Sequence, residues 1–147
     1  MHILQAKECQ YDSLFDSMMK YTSTYLQDVM NTLGVTVEEF KELFRKRGKV
    51  YVVYLQEQVV GFFWTEKRDE TLHIHALIVE DEFQGRGFGR KILQEIEGQY
   101  SEGAKVLEIG VHLSNDRARK LYEDFGFVKV KELNDIGFMI MQKDLTN

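Results

Sequence analysis

Residues 76 to 90 read Ala76-Leu77-Ile78-Val79-Glu80-Asp81-Glu82-Phe83-Gln84-Gly85-Arg86-Gly87-Phe88-Gly89-Arg90, an apolar strand that passes through a glycine-rich turn into a helical pattern. The glycines let the main chain turn tightly and approach a ligand with no Cβ in the way. The free N–H groups that open the next helix lie at its positive dipole end, so the junction suits a phosphate. Glycine-rich turns also precede helices for packing reasons alone, and a second signal is needed to choose.

That signal is Asn115-Asp116-Arg117-Ala118-Arg119-Lys120-Leu121-Tyr122, closed by Phe125-Gly126-Phe127. Gln84-x-x-Gly87-x-Gly89 followed by Asn115-x-x-Ala118-x-x-Leu121-Tyr122-x-x-Phe125-Gly126-Phe127 resembles the GCN5-related N-acetyltransferase (GNAT) superfamily, in its acetyl-CoA loop and leaving-group helix. The resemblance covers residues 49 to 143 well and the first 48 poorly. It implies an α/β fold, with a mixed, mostly antiparallel sheet of about six or seven strands, about four flanking helices and a splay between the fourth and fifth strands. It also implies one domain over residues 1–147, in which 1–48 border the acceptor and 49–147 form the acetyl-CoA-binding core.

The site residues follow from the same resemblance. Gln84, Gly85, Arg86, Gly87, Phe88, Gly89 and Arg90 would hold the diphosphate. The strand Leu77, Ile78, Val79 would offer main-chain groups of Leu77 and Val79 to the pantetheine amides, as an added strand does. Asn115 would contact the pantetheine arm, Ala118 let it pass, and the Tyr122 hydroxyl reach the sulfur. Family members often carry proline two residues beyond the strand's last valine, where this chain has Asp81.

The bulk properties agree with that reading. With 147 residues and 44% hydrophobic content the chain is one domain with a sizeable core. A net charge of −5 argues against nucleic acid as a partner. The cations Arg86, Arg90, Lys91, Arg117, Arg119 and Lys120 nevertheless gather in or beside the two motifs, which reads either as local attraction for a polyphosphate or as solvated helix faces. Cys9 is the sole cysteine, so there is no intrachain disulfide and no chelating cysteine cluster. The opening residues lack a signal-peptide pattern, and no apolar run approaches membrane-spanning length. A cytoplasmic protein with no membrane partner is expected.

Ile3 to Lys7 reads as a first strand and Tyr11 to about Asn31 as helix. Thr36-Val37-Glu38-Glu39 is a capping box opening a further helix that Gly48 stops. Val50 to Leu55 and Val59 to Trp64 suggest a hairpin about Gln56-Glu57-Gln58. Thr71 to Val79 is a long strand, followed by the loop, a helix of about three turns and a strand from Val106 to Leu113. Ser114 or Asn115 caps the last helix and Gly126 ends it, before strands Val128 to Leu133 and Phe138 to Gln142. On the last helix Asn115, Ala118 and Tyr122 share one face, whereas Leu121 and Phe125 point into the core.

Acetylating an amine raises two proton problems. Freeing the lone pair of an amine of pKa about 10.4 at pH 7 costs roughly 4 to 5 kcal/mol unless a base assists. His73 and His75 project from one face of the strand Leu72-His73-Ile74-His75-Ala76-Leu77, and an imidazole is matched to neutral pH. This His-x-His run resembles the arylalkylamine (serotonin) N-acetyltransferase branch, where paired strand histidines relay the amine proton. Two other readings stay open: half-buried histidines satisfied by backbone or water, and a metal site completed by His112 or Glu108, the basis of a metal-dependent hydrolase. The leaving thiolate is the second problem, for which the Tyr122 hydroxyl is the candidate acid. A backbone N–H near Leu77 would stabilise the oxyanion between the two events.

Direct attack of an amine on acetyl-CoA, with no metal, is the expected activity. A non-catalytic acyl-CoA-binding sensor is the alternative from another class. Tyr21, Tyr25, Phe62, Trp64 and Phe138 are candidates for an aromatic-lined acceptor pocket, although core packing explains most of them equally well. Glu66, Asp69, Glu70, Glu80, Asp81 and Glu82 favour a cationic acceptor. A small-molecule amine is preferred, a peptide or protein amine comes second, and monomer and homodimer are both open.

Overall fold

A computed structural model describes residues 1–146, and residue 147 of the expected domain lies outside the described residues. Strands β2 (Lys49–Leu55) and β3 (Gln58–Arg68) form the expected hairpin about a turn in which Gln56 takes φ +58°. Positions 60 to 65 of β3 are buried without a break, the signature of a central strand covered on both faces. Strand β4 (Thr71–Val79) follows antiparallel to β3.

With β1 (His2–Gln5), β5 (Val106–His112), β6 (Val128–Leu133) and β7 (Phe138–Asp144), the described residues form one seven-stranded sheet in the order β1-β2-β3-β4-β5-β7-β6. Every neighbouring pair is antiparallel except β4 and β5. That parallel ladder runs only from Thr71 opposite Val106 to Ile74 opposite Ile109. Beyond it β4 continues to Val79 and β5 to His112 with no pairing between them, which is the splay expected from the resemblance.

A β-bulge supplies the physical reason. Thr65 pairs with Ile74 and Trp64 with Ala76, so His75 is an extra residue on β4. A bulge bends its strand and increases the local twist, and this one falls immediately after the last pair with β5. It also resets which side chains face which layer. Leu72 and Ile74 pack with α4 (Phe88–Gln99) and α5 (Asp116–Phe125), whereas Ile78 packs on the opposite face with α1 (Tyr11–Thr22) and α3 (Val37–Lys46).

The N-terminal third departs from the expected pattern in two places. The single helix expected from Tyr11 to Asn31 is broken into α1 and α2 (Leu26–Leu33), so the sheet is flanked by five α-helices among the described residues. The cause is the run Thr22-Ser23-Thr24: the Thr22 hydroxyl donates to the Met18 carbonyl at 2.6 Å, and that of Ser23 to Lys20 at 3.4 Å. Such side chains compete for backbone groups and weaken a helix interior. Strand β1 also ends at Gln5 rather than Lys7, because the Lys7 N–H turns to the Gln10 side chain at 2.9 Å and opens a 3₁₀ turn. The capping box at α3 forms as read, with Glu39 N–H on the Thr36 hydroxyl at 3.1 Å and Thr36 N–H on the Glu39 carboxylate at 3.2 Å. No helix among the described residues is long and apolar enough to cross a membrane.

Candidate active site

The splay opens a cavity of about 540 Å³ between the ends of β4 and β5, roofed by α1, α2 and α5 and closed at one end by the glycine-rich loop. This is ample for a small-molecule or cofactor site. The Glu80 N–H donates to Val60 of β3 at 2.8 Å. By the alternation of an antiparallel ladder, the main-chain groups of Leu77 and Val79 therefore face away from β3 and into the wedge. One of them is already engaged, since the Gln84 side-chain amide donates to the Val79 carbonyl at 2.9 Å and ties the loop to the strand end. The second lone pair of that carbonyl is still available.

In the loop, Gly85 and Gly87 take φ of +75° and +82°, a region that L side chains rarely adopt. Gly89 is helical, but a Cβ there would lie 3.0 Å from Leu121 of α5. Gly87 caps α4 with no side-chain acceptor, and the Lys91 N–H returns to the Gly87 carbonyl at 3.2 Å. The N–H groups of Phe88, Gly89 and Arg90 are left at the helix entrance, where an anion is favoured. Arg90 and Arg117 line the wedge. Arg86 instead folds over the Phe83 and Phe88 rings, and Arg119 is paired with Asp116 at 2.9 Å within its own helix, so the sequence cluster of cations is only partly directed at the site.

Asn115, Ala118 and Tyr122 all line the wedge, as their shared helix face requires. Asn115 has a second duty, capping α5 by accepting the Ala118 N–H at 3.2 Å. Phe125 enters the core as expected, but half-buried Leu121 is shared between core and wedge. Burial pushes the Tyr122 phenol well above its ordinary pKa, assisted by the nearby Tyr25 hydroxyl. It stays protonated at any working pH.

The two strand histidines stand close, with ring centroids 4.6 Å apart, but differ in access. His75 lines the wedge and His73 does not. Each is held by a carboxylate: His75 Nε2 lies 2.8 Å from Glu66 and His73 Nδ1 lies 2.7 Å from Glu108. Glu108 also accepts the Gln142 amide at 2.8 Å. Burial pulls the His75 pKa down to about 4 against the opposing pull of Glu66. Burial raises the Glu66 carboxyl, but hydrogen bonds from His75 and Arg68 outweigh it and hold the group below its ordinary range. Among the described residues, no group of three or more His, Cys, Asp or Glu is arranged to hold a metal.

The model of the acetyltransferase (GNAT) family matches residues 11–127. The chain belongs to that family. An uncharacterized N-acetyltransferase from Archaeoglobus fulgidus is 29% identical over 131 residues, covering 81% of this chain and 89% of the relative. Ard1 from Thermoplasma volcanium shares the fold with a TM-score of 0.77 at 18% identity, over 99% of this chain and 98% of that one. A GNAT-family acetyltransferase from Elizabethkingia anophelis, solved with acetyl-CoA bound, superposes with a TM-score of 0.68 at 18% identity, over 98% and 97% of the two chains. Membership makes the protein an acyltransferase, acetyl-CoA-dependent by family.

The half of the GNAT wedge away from the loop differs from the sequence reading. Of the five aromatic candidates, Tyr21, Tyr25 and Phe138 line it, but Phe62 and Trp64 lie in the core, where the Trp64 indole donates to the Arg47 carbonyl at 2.7 Å. None of the six acidic residues flanking β4 lines the wedge. Glu80 is engaged by Ser17 at 3.0 Å and Tyr21 at 2.9 Å, and the Asp81 N–H, which proline would lack, donates to the Tyr21 hydroxyl at 2.9 Å. Missed from sequence were Met18, Leu26 and Phe40, while His112, read there only as a possible metal ligand, also lines the wedge. His112 stacks on Tyr25 at 4.6 Å and accepts the Ser114 N–H at Nδ1, 3.2 Å away, so in its neutral form Nε2 carries the proton. Only the position of His112 three residues before the Asn115 cap hinted at this role.

Proposed function

We propose that this protein acetylates the primary amine of a small molecule with an apolar, aromatic body, by direct attack of the amine on the thioester. The observation that carries this reading is that one wedge is lined together by the free edge of β4, the glycine-rich loop, His75 and Tyr122. Acetyl-CoA supplies an activated acetyl group there. Leu77 and Val79 would bind its amides, the helix entrance and Arg90 its phosphates, and Ala118 would leave room for the arm between them.

His75 is the base in this account and His73 its neighbour in a relay. An imidazole with a pKa near 4 is neutral at physiological pH, so it meets the ammonium ready to accept a proton. Once protonated it is strongly acidic and must pass the proton on. Tyr122 donates a hydrogen bond to the departing sulfur. Its raised pKa suits a hydrogen-bond donor more than an acid that gives its proton away completely.

The acceptor class follows from the lining. Met18, Leu26, Phe40, Tyr25 and Phe138 present apolar and aromatic surface, with no carboxylate to seek a second positive charge. Thiol release from acetyl-CoA should be measured against arylalkylamines, polyamines, aminoglycosides, amino acids and peptides. Fastest release with 2-phenylethylamine or a related arylalkylamine is expected. Fastest release with polyamines would overturn the acceptor class, and none with any amine would overturn the activity.

A further inference from the structure

We propose that Glu66 is a positioning residue that fixes His75 as its Nε2–H tautomer and stabilises the imidazolium formed when the ring takes the amine proton. The inference rests on the reading of His75 as base and extends it to a residue on another strand.

Glu66 sits on β3 opposite His73, one place from the bulge that turns His75 out of the regular ladder. The groups facing His75 and its partner come from three elements. From β3 come Glu66 and Arg68, from β4 comes His73, and from the end of α3 comes Arg47, whose Nε approaches Glu66 at 3.6 Å. Arg68 donates to the same Glu66 oxygen as His75, at 3.0 Å. A carboxylate beside two guanidinium groups stays ionised, and an ionised carboxylate only accepts. The proton between Glu66 and His75 therefore belongs to Nε2, and the ring's lone pair is on Nδ1.

That lone pair makes His75 a base with one defined basic atom. Nδ1 accepts the ammonium proton while Nε2–H stays hydrogen-bonded to Glu66, which remains ionised and balances the charge of the imidazolium formed. The proton gained at Nδ1 then passes on along the relay to solvent, which restores the neutral Nε2–H ring. His73 is built differently, with Nδ1 committed to Glu108 and Gln142 behind it, and lies outside the wedge lining. Glu66 therefore serves the histidine that meets the amine.

Long-range ¹H–¹⁵N correlation spectra of ¹⁵N-histidine-labelled protein read the tautomer directly, with His75→Gln and His73→Gln proteins assigning the signals. The wild-type protein is expected to show His75 with Nε2 protonated and Nδ1 bare, and Glu66→Ala to lose that preference. With 2-phenylethylamine as acceptor, Glu66→Ala is expected to lower kcat about 10- to 100-fold, within what a positioned base supplies. The acetyl-CoA KM should hardly change, the pH profile should move, and Glu66→Asp should restore part of the rate. A wild-type His75 protonated at Nδ1, or Glu66→Ala with an unchanged kcat and pH profile, would overturn the assignment. The tautomer is read without turnover, so absence of acetylation in the wild-type protein would count against the activity and leave the hydrogen-bond assignment separately tested.

Discussion

Ile74 and Ile109 are the last partners of the parallel ladder between β4 and β5, and the wedge begins there, lined by Ile109 itself on β5 and from His75 on β4. The same residue of β4, His75, is both the bulge that bends the strand and a side chain lining the cavity that the bend creates. Backbone irregularity and candidate chemistry thus share one position, a placement common for bulges beside active sites.

Replacing Tyr122 by Phe separates binding from chemistry. No described residue hydrogen-bonds the Tyr122 hydroxyl, so its loss leaves no orphaned partner and little change in stability is expected. Turnover should fall about 10- to 100-fold while the acetyl-CoA dissociation constant stays within about twofold. Steady-state kinetics and calorimetry check both, and a mutant as fast as the wild type would remove Tyr122 from the mechanism.

At Gly87 the backbone alone is under test. A Cβ there meets nothing within 4 Å, yet φ is +82°, so Gly87→Ala carries conformational strain without a clash. The expected loss of stability is about 1 kcal/mol. Acetyl-CoA affinity should drop several-fold as the helix entrance shifts, and salt should weaken binding in the wild-type protein. Thermal unfolding and titration at two ionic strengths measure these effects.

Tyr25 stacks on His112 with planes 14° apart and meets Phe138 edge-on at 5.5 Å. Tyr25→Ala should raise the KM for an arylalkylamine about 3- to 10-fold, the scale of one lost aromatic contact, with acetyl-CoA affinity unchanged. An equal loss for aliphatic and aromatic amines would argue against an aromatic wall.

Stability should fall on mild acidification. An unfolded histidine titrates near pH 6.5 and folded His75 near 4, so between these values the unfolded chain binds more protons. The unfolding free energy therefore decreases as pH drops through that window, by an amount of order 3 kcal/mol. Glu66 and Glu108, held below the ordinary carboxylate range, stabilise the fold above about pH 4.5, and that contribution is lost on further acidification. Denaturant unfolding from pH 7 to 4 measures the slope, which His75→Asn should flatten between 6.5 and 4.

Much of this architecture was legible because its determinants are local. The Thr36–Glu39 capping box and the Gln56 hairpin depend on residues a few positions apart and formed as read, and of the two caps offered for the last helix, Ser114 and Asn115, the structure uses Asn115. The splay was reachable only through family resemblance, since strict His73-x-His75 alternation gives no sign of an extra residue at 75. The break before Tyr25 was hidden by continuing helical periodicity, against which three consecutive hydroxyl residues were the only warning. Glu66 and Glu108 meet the histidines across strands, and nothing in local spacing encodes which carboxylate a neighbouring strand will supply. The same holds for Trp64, an aromatic in a strand whose two faces are both covered.

The central claim is that acetyl-CoA lies in the wedge between β4 and β5. Titrating acetyl-CoA into ¹⁵N-labelled protein and following backbone amide signals tests it most directly. Saturable uptake is predicted, with the largest shifts at Leu77, Val79, residues 85–90 and Ala118. No uptake at millimolar acetyl-CoA, or shifts confined to residues outside the wedge, would contradict it.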